Sequence, residues 1–181
     1  MLTRAQIPNA LTMARVAAVP LCLALILLAP DARVLLFVVF VAASITDYLD
    51  GYLARKWQVT SRLGALLDPI ADKLLVALML LYLCVLNIAD FLPVSIILLR
   101  ELYIAGLREF LGKLQVDLPV SNGGKWKTAL QMLAVAVLLA QDAFGAALPE
   151  TSIGGTLLYA SALLAFVSAV SYTRASWVYL R

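Results

Sequence analysis

Residues 47–72 read DYLDGYLARKWQVTSRLGALLDPIAD, and this segment places four aspartates among apolar residues. Asp47 and Asp50 are three residues apart, and Asp68 and Asp72 are four residues apart. Residues at either spacing share one face of a helix, with Cβ atoms about 5–6 Å apart. The segment therefore predicts two helices joined by a short turn, each carrying a pair of carboxylates on one face.

The chain around this segment is strongly apolar. Of its 181 residues, 64% are hydrophobic and 14% are charged, and the mean hydropathy is +0.96. A soluble domain has about 45–50% apolar and about 25% charged residues. The composition indicates an integral membrane protein, and a net charge of +3 then favours anionic lipid surfaces over nucleic acid as a partner.

Six stretches are long enough to cross a bilayer, which takes about 20 mostly apolar residues. We expect an all-α integral membrane fold of six transmembrane helices in one domain covering residues 1–181. Asn9, Thr12 and Arg15 interrupt the start of the first stretch, so we expect a retained helix there and not a cleaved signal peptide. The predicted helices are 10–30, 33–54, 63–87, 91–111, 127–147 and 154–178.

The basic residues predict the topology. With the N-terminus in the cytoplasm and six crossings, Arg33 alone of the 14 lysines and arginines falls outside. Cytoplasmic loops of membrane proteins carry an excess of Lys and Arg, so both termini are predicted to be cytoplasmic. Trp57, Trp126 and Trp177 fall near the predicted inner boundaries, where interfacial aromatic residues concentrate.

The four acids need a partner inside the membrane. A charged group at the centre of a membrane helix costs about 2.5–3.5 kcal/mol on insertion scales, so these side chains must face one another, a cation or water. Oxygen ligands favour magnesium, manganese or calcium over zinc or copper. The chain has no histidine, which excludes histidine-based triads and leaves a carboxylate, Lys, Tyr or Cys as general base.

Two other readings of the acids are open at this point. They could be helix-end charges paired with Arg55, Arg62 and Lys73. They could also line the path of a divalent-cation channel or transporter, because intramembrane acids mark such paths too. A transporter, however, gives no reason for the small residues Gly51 and Ala54 to share the acids' face.

The spacing of the segment resembles the signature of the CDP-alcohol phosphotransferase family at every fixed position. The matching residues are Asp47, Asp50, Gly51, Ala54, Arg55, Gly64, Asp68 and Asp72. The resemblance implies six transmembrane helices, a homodimer and an active site at the cytoplasmic face. It also implies two Mg²⁺ or Mn²⁺ ions held by the four aspartates, with Asp72 as the general base. Gly51, Arg55 and Ser61 sit where the family contacts the CDP group.

Three further segments resemble the phosphatidylglycerophosphate synthase branch of that family: residues 7–15, 100–110 and 120–132. The first of these segments contributes Asn9 and Thr12 to the predicted binding site for the CDP-lipid. The other residues of that site are Gly51, Ala54, Arg55, Ser61 and Gly64. The cations predicted to bind a phosphorylated acceptor are Arg15, Arg108, Lys125 and Lys127. Cations suit a phosphate, whereas membrane anchoring is the alternative role for such residues. Arg100 is expected to pair with Glu101 or Glu109.

The predicted reaction is transfer of a phosphatidyl group from CDP-diacylglycerol to sn-glycerol 3-phosphate, with release of CMP and formation of phosphatidylglycerol phosphate. The expected setting is a bacterial-type inner (plasma) membrane, with membrane lipid and a second copy of the chain as partners. The same chemistry with another acceptor, as in a cardiolipin synthase or a phosphatidylinositol phosphate synthase, is the main alternative. A divalent-cation transporter is the remote one.

Overall fold

A computed structural model of the chain describes residues 6–57, 62–116, 122–145 and 153–179, without the side chains of residues 6–9, 48, 50–56, 62–66, 68–69 and 122–125. These residues form six α-helices and no strand. The helices are α1 (Gln6–Leu28), α2 (Arg33–Trp57), α3 (Arg62–Val85), α4 (Phe91–Lys113), α5 (Asn122–Phe144) and α6 (Ile153–Ser176), followed by a 3-10 turn (Trp177–Tyr179). Each helix overlaps one predicted stretch, so the all-α class is confirmed.

Three segments of the described chain are long and apolar enough to cross a membrane: Ala10–Leu28, Trp126–Phe144 and Ile153–Tyr179. Helix α4 is equally long but carries five charged residues, namely Arg100, Glu101, Arg108, Glu109 and Lys113. The structure thus supports a membrane protein with three candidate crossings in α1, α5 and α6. Crossings by α2, α3 and α4 stay a prediction.

The surface of the helices is apolar where a soluble protein would be polar. On α4, Leu99 and Leu102 are 66% and 72% exposed, and on α6 Leu163 is 64% exposed. Continuous apolar surface of this kind marks an interaction with lipid or with another protein. Helix α4 therefore has a lipid-compatible face despite its charges.

Two helices end on left-handed residues without glycine. Asn87 and Gln115, which follow α3 and α4, have φ values of 57° and 56°. The amides of Ile88 and Val116 then donate to the carbonyls of Leu83 and Leu111, five residues back, at 2.9 and 3.0 Å. This is the Schellman arrangement, which satisfies the carbonyls that a helix C-terminus leaves open. Leu83 and Leu111 are buried, and anchor both ends to the core.

The described chain divides into two compact units, and the first comprises Met1–Tyr82 with Leu139–Glu150. At one end of this unit, Asp142 of α5 accepts from Arg33 at 3.0 Å and from the Tyr82 hydroxyl at 3.1 Å. The Asp142 side chain is 3% exposed. Arg33 begins α2, whereas Tyr82 and Asp142 lie near the ends of α3 and α5. Helices α3 and α5 therefore finish where α2 starts, as alternating crossings would require.

The second unit comprises Leu83–Leu138 with Thr151–Arg181. Here α4 and α6 pack together, and two contacts that lie eight residues apart on α4 fall in the same order on α6. Arg100 bonds Ser168 at 3.1 Å, and the Arg108 guanidinium lies 5.5 Å from the centre of the Tyr172 ring. The order of these two contacts indicates that α4 and α6 are parallel. This order too is the one that alternating crossings produce.

The Asp142 contacts predict a measurable contribution to stability. Replacing Asp142 by Ala removes the acceptor of one charged and one neutral hydrogen bond, which we expect to cost about 1–3 kcal/mol. The measurement is the unfolding midpoint in detergent by circular dichroism. Glu109→Ala is the matched control, because it breaks an ion pair with Lys113 in which both side chains are 72% exposed. Equal midpoints for the two variants would contradict a stabilising role for the Asp142 contacts.

Candidate active site

Asp47, the first of the four signature acids, is held by a buried arginine. The Nη1 atom of Arg15 on α1 lies 2.7 Å from Oδ1 of Asp47 on α2. The side chain of Arg15 is 1% exposed and that of Asp47 is 36% exposed. Helices α1 and α2 adjoin in the sequence and pack on each other. Thr12, one turn before Arg15, is also buried, so the two share the face that their spacing predicts.

The ion pair bears on whether Asp47 suits a metal. An ionised carboxylate has about four lone-pair sites on its two oxygens, so an arginine at Oδ1 leaves ligation chemically possible. Asp47 is also open enough to solvent for an ion to reach it. The residue therefore fits a ligand of a hard cation, with Arg15 fixing its orientation. The predicted contact between Arg15 and the acceptor stays a prediction beside this observed one.

Asp72 lies on α3 beside the buried face of that helix. Its neighbours Ala71, Leu75 and Val76 are 2%, 1% and 4% exposed, while Asp72 itself is half-buried. A half-buried carboxylate can meet both a lipid substrate and a solvated ion. The position thus suits either role predicted for Asp72, as metal ligand or as general base.

The remaining signature residues lie outside the described side chains. For eight of the predicted site residues the structure describes the backbone alone: Asn9 on α1, Asp50, Gly51, Ala54 and Arg55 on α2, Gly64 and Asp68 on α3, and Lys125 on α5. Ser61 lies outside the described residues. Among the side chains that are described, no three potential metal ligands form a group. The four-acid centre and the CDP contacts therefore stay predictions.

A second charged cluster lies in the unit that contains α4. Glu101 pairs with Arg100 at 2.9 Å and, on its Oε1 atom, with the ammonium of Lys127 on α5. The side chains of Lys127, Arg100 and Glu101 are 3%, 14% and 19% exposed. These three described side chains, two cations and one anion, together carry a formal charge of +1. Such buried charges persist only when paired, since a lone one costs several kcal/mol.

One hydrogen-bond donor of the cluster has no acceptor among the described residues. The Nε atom of Arg100 is buried and has no hydrogen-bond partner among the described residues. Buried polar atoms are almost always bonded, so such an atom calls for an explanation. A net positive cluster with an open guanidinium donor is chemically suited to an anion with several oxygens, such as a phosphate.

The predicted acceptor residues thus have different surroundings. Lys127 is buried in the cluster, whereas Arg108 is exposed and stacks on Tyr172. Of the two partners expected for Arg100, the structure selects Glu101. The Glu101–Lys127 pair was not predicted, because 26 residues separate its members. The sequence does contain a signal for a buried polar face, because Gln131 lies four residues after Lys127 on an otherwise apolar helix. Both side chains are buried in the structure.

The chain is similar to known proteins over most of its length. The model of the family described as CDP-alcohol phosphatidyltransferase matches residues 5–171. A Rickettsia bellii protein named CDP-diacylglycerol–glycerol-3-phosphate 3-phosphatidyltransferase is 41% identical over 170 residues, covering 93% of this chain and 94% of that protein. A Rickettsia typhi protein of the same name is 38% identical over 96% of this chain and 98% of its own length.

A relative with another name also matches. A protein from Oryza sativa subsp. japonica, named cardiolipin synthase (CMP-forming), is 40% identical over 94% of this chain, but this chain spans only 57% of it.

The charged cluster predicts non-additive effects of substitution. Glu101→Gln removes the carboxylate that pairs with Arg100 and Lys127. We expect the free energy of unfolding to fall by about 3 kcal/mol, the low end of the cost of breaking a buried ion pair. The same change in a Lys127→Met background should cost about 1–3 kcal/mol less, because one cation is already gone. A double-mutant cycle on unfolding midpoints in detergent measures this difference. Strict additivity would show that Glu101 and Lys127 do not interact.

Proposed function

The chain belongs to the CDP-alcohol phosphatidyltransferase family, and from that premise we propose that it transfers a phosphatidyl group from CDP-diacylglycerol to sn-glycerol 3-phosphate. CMP is released, and phosphatidylglycerol phosphate remains in the bilayer. The observation that carries the proposal is the similarity, over 93% and 96% of the chain, to two proteins named for that reaction. The signature segment supports it from the residues themselves.

Divalent metal ions serve the family as cofactors, and for this chain we propose two ions, magnesium or manganese. The ligands would be Asp47, Asp50, Asp68 and Asp72. Bound there, the ions would offset negative charge on the diphosphate of the CDP-lipid during in-line displacement. The Arg15 contact keeps Asp47 oriented within this set.

The chain's own residues account for the remaining steps. The carboxylate of Asp72 removes the proton from the 1-hydroxyl of glycerol 3-phosphate. That oxygen forms a bond to the lipid-side phosphorus, and the bond from this phosphorus to the CMP oxygen breaks. Arg55 binds the diphosphate with its planar fork, and the missing side chain of Gly51 admits the nucleotide. The rest of the proposed CDP-lipid site is Asn9, Thr12, Ala54, Ser61 and Gly64.

The acceptor's phosphate is assigned to the basic residues Arg15, Arg108, Lys125 and Lys127. The cluster of Arg100, Glu101 and Lys127 supports this assignment through its net positive charge and its open Arg100 donor. A neutral acceptor would have no use for buried cations that cost free energy to retain. The cations therefore favour glycerol 3-phosphate over an uncharged alcohol.

The membrane setting of the proposal is a bacterial-type inner membrane. Six crossings with both termini in the cytoplasm would put Arg33 outside and the active site at the cytoplasmic face. The parallel order of α4 and α6 and the contact of Arg33 with Asp142 support the alternation of crossings in this proposal. The chain is proposed to act as a homodimer.

The second candidate is a cardiolipin synthase, in which phosphatidylglycerol is the acceptor. The rice relative of that name favours it. Both reactions release CMP from the same donor, so the metal acids and the CDP site serve either one. The acceptor cations separate them, since phosphatidylglycerol has its phosphate in a diester whereas glycerol 3-phosphate has a terminal phosphate.

Asp72 is predicted to be indispensable for turnover. Asp72→Asn removes the proton acceptor, and we expect CMP release with glycerol 3-phosphate to fall by roughly 10²–10⁴-fold, the usual contribution of a general base. The assay is CMP release by purified protein in detergent, with binding of CDP-diacylglycerol measured alongside. Asp31→Asn, at an exposed acid in the turn before α2, is the control. Normal turnover of Asp72→Asn would remove this residue as the base.

Lys125 is predicted to act on the acceptor alone. Lys125→Gln loses one charged contact to the phosphate, and we expect the KM for glycerol 3-phosphate to rise roughly 10-fold or more, with the KM for CDP-diacylglycerol unchanged. Lys113→Gln removes an equal charge at an exposed side chain and serves as the control. If both variants shifted the acceptor KM alike, general electrostatics and not a pocket would explain the effect.

A further inference from the structure

An apolar groove runs along α6 in the unit that contains α4. Its volume is about 590 Å³. One wall is formed by residues of α6 and of the 3-10 turn that follows it, namely Phe166, Ala169, Val170, Thr173, Arg174 and Trp177. Tyr103 of α4 closes the other side, with its hydroxyl 3.0 Å from that of Thr173. The volume lies within the range of about 300–1,000 Å³ that is typical of ligand sites. None of the residues lining the groove belongs to the proposed reaction.

The length of the groove matches one leaflet of a membrane. Phe166 and Trp177 are eleven residues apart, which corresponds to about 16 Å along a helix. The hydrocarbon core of a bilayer is about 30 Å thick, so one leaflet contributes about 15 Å. Helix α6 lies in the longest candidate crossing of the described chain, Ile153–Tyr179. An acyl chain can therefore lie along the groove for the depth of its leaflet.

The end of the groove is polar and positively charged. Arg174 occupies the last turn of α6, and Trp177 follows it at 54% exposure. Tryptophan is enriched at the membrane interface, where its ring lies at headgroup level. An arginine guanidinium binds phosphate oxygens through parallel hydrogen bonds. The described lining contains no acid to neutralise Arg174.

From this combination we propose that the groove is a binding site for an anionic phospholipid of the surrounding membrane. One acyl chain lies against Phe166, Ala169 and Val170, and the headgroup phosphate lies at Arg174. None of the residues that line the groove is among those of the proposed CDP-lipid site, and the inference requires only that α6 is in a membrane. A zwitterionic lipid brings a second cation toward Arg174, which is why an anionic headgroup fits better.

The test uses Trp177 as the reporter. In the full chain carrying Trp57→Phe and Trp126→Phe, Trp177 is the remaining tryptophan. Its fluorescence is followed while brominated phosphatidylglycerol or brominated phosphatidylcholine is added to the protein in neutral detergent. We expect saturable quenching by both lipids. The mole fraction that gives half-maximal quenching should be about fivefold lower for phosphatidylglycerol than for phosphatidylcholine, which is the preference that one interfacial arginine supplies. Arg174→Gln should abolish the preference, and Lys113→Gln should retain it.

Four results would overturn the proposal. Equal midpoints for the two lipids would show that Arg174 does not select an anionic headgroup. If Lys113→Gln lost the preference for phosphatidylglycerol as fully as Arg174→Gln, the overall charge of the protein would explain the preference. Absence of quenching by either lipid, in a chain that sediments as a dimer, would show that a second copy covers the groove. An Arg174→Gln protein with a raised KM for CDP-diacylglycerol would assign the groove to the substrate lipid.

Discussion

The cost of placing a charge in an apolar environment governs this molecule. With 64% hydrophobic residues, the chain has few charges, and those that are buried in the described part meet opposite charges across helices. Arg15 meets Asp47, Lys127 meets Glu101, and Asp142 meets Arg33. An unpaired buried charge would cost several kcal/mol. The pairs consequently fix which helix faces adjoin: α1 with α2, α4 with α5, and the end of α5 with the start of α2.

The same cost explains why the acids of α2 and α3 indicate catalysis. Packing alone needs no carboxylate, and each acid on an apolar helix lowers the stability of insertion. A sequence that retains four of them at fixed spacing gains something that outweighs this cost. Stabilisation of the charge on a transferring phosphorus is such a gain, because electrostatic interactions are stronger in an apolar, water-poor site than in water. Arg15 is held against Asp47, the first of these acids.

The helices and the family could be predicted from the sequence, because apolar length and the spacing of Asp47, Asp50, Asp68 and Asp72 are local properties. The partner of Lys127 could not, since Glu101 is distant in the chain and a lysine at a predicted inner boundary suits lipid anchoring equally well. Arg15 shows the same limit: its position on the Thr12 stripe was predictable, but its contact with Asp47 depends on how α1 packs against α2. Asp142 belongs to no motif, so its role as an acceptor for Arg33 and Tyr82 could be found only from the structure, in which the ends of three helices meet.

The most direct test of phosphatidyl transfer to glycerol 3-phosphate is an acceptor comparison. Purified full-length protein in detergent is given CDP-diacylglycerol, magnesium and one acceptor at a time, and CMP is measured together with the lipid product. The account predicts CMP release with glycerol 3-phosphate alone, and phosphatidylglycerol phosphate as the product. Release only with phosphatidylglycerol or inositol phosphate would contradict the role given to the acceptor cations. No release with any acceptor, from a protein shown to be folded, would contradict the proposed reaction itself.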